Sequence, residues 1–239
     1  MIIECKLTFE AAHRNTSAQS TARTRRLHGH SYEVTVAIEG AINPAIGWMM
    51  DFADVKDRAN EVIDRLDHHI LNDIAGIIDS TREDVERWLS CALRPILPSL
   101  HGCRVTILGE RNWSPVIARL DSRSERLRFG FDAAHFLPTL PDTHKCRRIH
   151  GHSFRVAVTA IQAGQLADRV REIYESVDHK LLNEIPGLQN PTSELLAEWL
   201  SRELKHRKCN FEEIIVAETC TSSCRLIASN LMKAGNSAG

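Results

Sequence analysis

The chain repeats itself, and this limits its fold more than any other feature. Phe9-Glu-Ala-Ala-His13 recurs as Phe131-Asp-Ala-Ala-His135, and at the same offset His28-Gly-His30 recurs as His150-Gly-His152. A shorter offset relates Leu66-Asp-His-His-Ile-Leu-Asn to Val177-Asp-His-Lys-Leu-Leu-Asn, and it also pairs Thr81 with Thr192, Glu83 with Glu194 and Trp88 with Trp199. Glu110 and Glu218 each follow an apolar run in the same relative place. A chain of 239 residues with this period is two copies of one small domain, not one large domain. The join falls in the polar segment DSRSERLR, giving domains 1–123 and 124–239.

Within each copy the pattern alternates between period two and period 3.6. VTVAIEG and RVAVTAI read as strands, and VKDRANEVIDRL and LADRVREIYESV as amphipathic helices. A second helix starts after Ser80 in one copy and after Pro191 in the other, where Thr192 and Ser193 offer hydroxyl caps, and an apolar run closes each copy. The expectation is an α+β protein of two tandem ββααββ units.

Thirty basic residues against 31 acidic ones leave a net charge of -1, which argues against a nucleic-acid partner, although RTRR at 23–26 and KCRR at 145–148 are local basic patches. Glu4 and Lys6 interrupt the apolar N-terminal stretch where a signal peptide would need continuity, and no run reaches the length of a membrane span. A cytoplasmic protein with no membrane partner is expected. Seven cysteines at irregular spacing, in a chain large enough to bury a core, read as reduced thiols.

In a strand, residues two apart share a face, so His-Gly-His sets two imidazoles side by side. The histidine of Ala-Ala-His on a neighbouring strand supplies a third nitrogen. A lone histidine is usually a satisfied core or surface residue, but here a set of three occurs twice. Three protein ligands with a vacant fourth position is the arrangement of catalytic zinc. The expected ligands are His135, His150 and His152, and in the first copy His13, His28 and His30. An all-imidazole set also suits iron, copper or nickel; Zn2+ is the expectation in a reduced compartment.

FDAAHFLPTLPDTHKCRRIHGHSF resembles the 6-pyruvoyltetrahydropterin synthase superfamily, and the C-x3-H-G-H spacing resembles its 6-carboxytetrahydropterin synthase branch of queuosine biosynthesis. The resemblance runs through VDHKLLN, NPTSELLAEWL and ETCTSSC in the second copy and MMDFADVK, LDHHILND and GER in the first. It implies tandem T-fold (tunnelling-fold) domains, each an antiparallel sheet with two helices on one face, assembled as a homo-oligomer with sites between domains or subunits. It implies a lyase acting on 7,8-dihydroneopterin triphosphate, with loss of triphosphate and acetaldehyde. By the same resemblance Cys146 is the catalytic base, Asp178-His179 and Asp67-His68 are proton-relay pairs, Glu218 and Glu110 anchor the pterin, and Thr219 lies beside the ring.

Each of these residues also has a plainer reading. Cys146 could be a small buried hydrophobe or a fourth zinc ligand, although Lys145, Arg147 and Arg148 argue against simple burial. A base of this kind needs its thiol pKa lowered by the metal, the arginines or a histidine. The same cations could hold a triphosphate or simply be solvated. An Asp-His pair at a helix end could be a cap, and an acid after an apolar strand could mark where the chain meets water. A product of the pyruvoyl type, or an inactive pterin-binding protein, are the rival functions.

The copies are unequal. The first has Thr24 where the second has Cys146, and a threonine hydroxyl is too weak an acid to replace a thiolate. The second lacks a counterpart of the AIGWMMDFADV stretch, which the resemblance implies is a strand leading into the first helix. Complementary losses suggest that each half completes the other's site. Asp67, His68 or Glu110 beside Cys146 would make the active site composite; Asp178 and Glu218 there would make the first half scaffold.

Overall fold

The computed structural model describes residues 1–109, 113–121, 123–219 and 221–228. Glu110 therefore lies outside the described residues, as does Cys220. Two units follow one another along the chain. The first comprises strands β1 (Ile2–His13) and β2 (His28–Glu39), helices α1 (Phe52–Ile63) and α2 (Arg82–Leu93), and strands β3 (Leu100–Leu108) and β4 (Val116–Arg119). The second comprises β5 (Glu125–His135), β6 (His150–Ala160), α3 (Ala167–Val177), α4 (Ser193–His206), β7 (Glu213–Ala217) and β8 (Ser223–Ile227). This is α+β architecture, with every paired strand antiparallel.

The pleat sorts each strand between a helix-covered core and an outer face. In the first unit Phe9, Tyr32, Val34 and Val36 face Val55, Ala59, Val85 and Leu89 of the two helices; in the second, Phe131, Phe154, Val156 and Val158 face Val170, Ile173, Leu196 and Leu200. Phe9 stacks on its cross-strand partner Tyr32 with centroids 4.6 Å apart, and Phe131 on Phe154 at 5.0 Å. Such aromatic pairs hold register, each adding about 0.5–1.5 kcal/mol beyond its buried area. Thr81 and Thr192 cap α2 and α4 by accepting from Asp84 N–H and Leu195 N–H.

Two features depart from the sequence expectation. The closing strand of the first copy leaves its own sheet: β4 pairs with β5, so the sheets run β1-β2-β3 and β4-β5-β6-β7-β8. Asp121 directs this exchange, because its Oδ1 accepts from Arg123 N–H (2.7 Å) and Ser124 N–H (2.8 Å) and so closes a tight turn between β4 and β5. The AIGWMMDFADV segment is not a strand. It turns, with one bridge between Asn43 and Trp48 and Gly47 at φ 77°, and its end enters α1 through the Asp51 cap. Ile46 and Trp48 are exposed, and among the described residues no strand pairs with the segment as a ladder.

The two units meet along the His-Gly-His strands. A Cβ placed on Gly29 would lie 2.3 Å from Gly151 Cα, and one on Gly151 would lie 2.4 Å from Gly29 Cα. The glycine between the histidines therefore does more than leave space for two imidazoles on one strand: it lets β2 and β6 touch backbone to backbone. Beside this contact Ser31 N–H donates to Ser153 Oγ and Ser153 N–H to Ser31 Oγ, both at 3.3 Å.

Candidate active site

The strand register builds both histidine sets. His13 stands directly opposite His28, with His30 two residues further along the same face; His135 stands opposite His150, with His152 likewise. All six are buried. Four of them give their Nδ1 to backbone carbonyls: His13 to Ser80 O (2.7 Å), His28 to Arg26 O (2.8 Å), His135 to Pro191 O (2.9 Å) and His150 to Arg148 O (2.8 Å). A carbonyl can only accept, so each Nδ1 carries the proton and each Nε2 presents a lone pair. The Nε2 atoms of His13 and His28 then face each other at 3.1 Å, and those of His135 and His150 at 3.0 Å. Facing lone pairs at that distance repel unless a proton or cation lies between them, and carbonyl-oriented imidazoles are what a metal centre uses.

Burial also keeps the four carbonyl-bonded rings, those of His13, His28, His135 and His150, neutral, whereas at His152 Glu10 and Glu218 outweigh burial and raise the ring to about 9. Burial lowers His13 to about 3, helped by His30, and pushes His28 and His150 far below the ordinary range. The Nε2 of buried His152 has no hydrogen-bond partner, although Glu218 Oε1 lies 3.1 Å away and 3.2 Å from His135 Nε2. The ligand atoms of His135, His150, His152 and Glu218 all lie within 4.8 Å of one another, as do those of His13, His28 and His30. Both sets fit a metal ion.

The second-domain set opens on a cavity of about 640 Å³ lined by Asp67, His68, Lys145, Cys146, Glu218 and Thr219, among others. Cys146 Sγ, His150 and His68 have atoms within 4.8 Å of one another. His68 comes from the first domain and stacks on His150 with centroids 4.2 Å apart. Its Nδ1 lies 2.9 Å from Asp67 Oδ1, and Lys145 Nζ bonds Asp67 Oδ2 at 2.9 Å. Burial would raise Asp67, but His68, the Glu10 N–H and Lys145 outweigh it and hold the carboxyl well below its usual range. The pair brought to Cys146 is thus Asp67-His68.

Asp178-His179 goes the other way. His179 stacks on His28 at 4.1 Å, and Arg23 bonds Asp178 Oδ2 at 2.6 Å, so this pair completes the first-domain site beside Thr24. Both dyad histidines adopt left-handed backbone, His68 at φ 58° and His179 at φ 52°. That conformation is uncommon for a residue with a Cβ and costs on the order of 1 kcal/mol or more. A short bond from each histidine N–H holds it, to Glu10 O and to Asp132 O, both at 2.6 Å.

The electrostatics of the remaining residues separate the two sites further. Burial tends to raise Glu218, but His135 and His152 overcome this and hold it anionic; Ser193 Oγ donates to its other oxygen at 2.9 Å. The first copy has Arg82 where the second has Ser193. Cys146 does not behave as expected from its basic neighbours. Burial, Glu218 and Asp67 raise its thiol, outweighing Lys145 and Arg148. The cations are otherwise engaged, Lys145 with Asp67, Arg147 with Asp142 and Arg148 with His68 O. Only a further positive charge at the histidines would bring the thiol down.

Sequence reasoning passed over Glu10 and Asp132, treating them only as letters of a motif. Each sits next to a dyad and reaches a histidine of the other domain: Glu10 Oε2 lies 2.8 Å from His152 Nδ1, and Asp132 Oδ1 3.2 Å from His30 Nδ1. An acid at the same position of both repeats, set between buried apolar neighbours (Phe9 and Ala11, Phe131 and Ala133), was the available signal.

A duplicated antiparallel α+β fold with two buried three-histidine sets that could each hold a metal ion, each met by the other domain's Asp-His pair and one also by a thiol, is that of two tandem tunnelling-fold units. The chain belongs to the 6-pyruvoyl tetrahydropterin synthase family, whose pattern matches residues 2–117 and 126–228. A 6-carboxy-5,6,7,8-tetrahydropterin synthase of Synechocystis sp. is 36% identical over 120 residues, covering 43% of this chain and 92% of that protein. A dihydroneopterin monophosphate aldolase of Pyrococcus furiosus is 34% identical over 93 residues, covering 39% of this chain and 75% of that protein. A human 6-pyruvoyl tetrahydrobiopterin synthase is 33% identical over 107 residues, covering 39% and 74%. The chain is an enzyme of the lyase class of this pterin synthase family. Among the described residues no helix is long and apolar enough to cross a membrane.

Proposed function

We propose that the second-domain site, completed by the first domain, converts 7,8-dihydroneopterin triphosphate and water into 6-carboxy-5,6,7,8-tetrahydropterin, acetaldehyde and triphosphate, the reaction of the queuosine pathway. The observation that carries this reading is the meeting of Cys146 and His68 with the second-domain histidine set: both lie beside His150, and both line one cavity with His152 and Glu218. Zn2+ at the three histidines would act as Lewis acid toward the substrate's side-chain hydroxyls and lower the thiol pKa nearby.

The chain's own groups do the rest. Cys146 takes a proton from the side-chain carbon, and His68, oriented by Asp67, carries a proton to or from the reacting oxygen. Glu218, anionic and held by Ser193, accepts from the N–H donors on the guanidine-like edge of the pterin, with Thr219 beside the ring. Lys145, leaving Asp67, is the cation nearest the cavity for a phosphate. The first-domain site, with Thr24 in place of the base, binds a metal without turning over this substrate. In the sequence, Glu110 corresponds to Glu218. Domains 1–123 and 124–239 each depend on the other, and β8 of one chain pairs with β1 of another as β4 does with β5, giving a homo-oligomer.

The test is anaerobic incubation of zinc-loaded protein with dihydroneopterin triphosphate, with pterins followed by mass and acetaldehyde by a coupled assay, beside Cys146→Ala. Carboxy-tetrahydropterin and acetaldehyde, lost in the variant, support the proposal. A pyruvoyl product or an aldolase product moves the assignment to that branch. Tight binding without turnover makes the protein a pterin binder.

A further inference from the structure

The mechanism above uses no group from β1, yet one buried side chain of that strand touches the second-domain centre from across the domain boundary. Glu10 Oε2 accepts from His152 Nδ1–H at 2.8 Å and from Ser31 Oγ–H at 2.7 Å. The hydroxyl of Ser31 is itself fixed from the other domain, by Ser153 N–H at 3.3 Å. The main chain of Glu10 is engaged as well: its N–H donates to Asp67 Oδ1 at 3.0 Å, and its carbonyl accepts from His68 N–H at 2.6 Å. One residue thus joins the Asp67-His68 pair to a histidine of the other domain's metal set.

This arrangement has a specific consequence for His152. His135 and His150 orient their Nε2 through backbone carbonyls of their own domain, Pro191 O and Arg148 O. The Nδ1 of His152 bonds a carboxylate of the other domain, a stronger acceptor that fixes the tautomer and raises the ligand strength of Nε2. We infer that Glu10 is a positioning residue of the second-domain metal centre, so that the third ligand of that centre is set by docking of the first domain. The inference rests on the metal reading of His135, His150 and His152 given above. It needs no particular pterin.

The test is a zinc titration of metal-free full-length protein against a chromophoric chelator, for wild type, Glu10→Gln, His150→Ala and the double variant, with thermal melts alongside. Glu10→Gln removes the charge at nearly constant shape and is expected to weaken one of two sites by about 10- to 100-fold. In the His150→Ala background, where the second site is already lost, it should change nothing. Ser31→Ala, which removes the hydroxyl holding the carboxylate, should weaken the same site by a smaller factor and serves if Glu10→Gln does not fold. Unchanged zinc affinity in Glu10→Gln and Ser31→Ala overturns the inference, and so does an equal loss from Glu10→Gln in the His150→Ala background, which would mark general support of the fold. Failure of wild type to bind zinc would instead overturn the metal reading itself.

Discussion

Replacing Gly29 by alanine tests the docking of the two domains. The new Cβ would sit 2.3 Å from Gly151 Cα, 2.8 Å from Ala11 O and 2.9 Å from Gly151 C, all backbone atoms. Carbon atoms in ordinary contact are about 3.5–4.0 Å apart, so β2 and β6 must separate by more than about 1 Å. No side chain can rotate away to absorb the strain. Overpacking of this kind costs about 1–3 kcal/mol, and a backbone-on-backbone clash belongs at the upper end. For a chain of this size that is a fall in Tm of roughly 6–12 °C. The separation also draws His68 from His150, so turnover should fall more than the residual folded fraction explains. Gly102→Ala is the control, because a Cβ there meets nothing within 4 Å. Differential scanning calorimetry with activity at 20 °C reads both effects. A Gly29→Ala protein with wild-type Tm and turnover would refute the close approach and the interdomain site that depends on it.

Two further outcomes follow from individual residues. Asp84 is shielded by burial yet bonded to Arg87, Asp79 N–H and Thr81, which hold its carboxyl below the usual 3.8. A depressed carboxylate stabilises the fold above its unfolded pKa, and that contribution disappears as pH falls through the folded value. Asp84→Asn should therefore lose about 1–2 kcal/mol in urea melts at pH 7, and the gap should close as pH falls below the unfolded value and through the lower folded one; a constant gap at all pH values would show that charge is not the cause. Ser193→Ala deletes the donor to Glu218, a bond to a charged group worth about 1.5 kcal/mol, and should raise KM about tenfold with kcat nearly unchanged. A fall in kcat at constant KM would place Glu218 in the chemistry.

The parts of this structure that were legible in the sequence are those set by local pattern. The repeat gave two ββααββ units, and the two-residue spacing of His28 and His30, or His150 and His152, gave a shared face that the register then completed with His13 or His135. The hydroxyl caps at Thr81 and Thr192 were in place for the same reason. What was not legible depends on contacts between the halves. Nothing near Asp67 indicates that it serves Cys146 while Asp178 serves the site beside Thr24, because that exchange arises from how β2 docks on β6. The role of Gly29 was hidden for the same reason: the atom it makes room for belongs to residue 151. The strand exchange of β4 follows from a turn at Asp121 that competes with pairing to β3, and local propensity does not decide between two antiparallel partners. The basic residues around Cys146 suggested a lowered thiol pKa, but burial and two nearby carboxylates outweigh cations already engaged elsewhere.

The central claim is that the second-domain site is completed by the first domain's Asp67-His68 pair. The most direct measurement compares turnover of dihydroneopterin triphosphate by zinc-loaded His68→Ala and His179→Ala, each checked for wild-type secondary structure. The account predicts that His68→Ala loses activity as fully as Cys146→Ala, on the order of 100-fold or more, whereas His179→Ala keeps most of it. Loss in His179→Ala with activity retained in His68→Ala would contradict the exchange of dyads between domains.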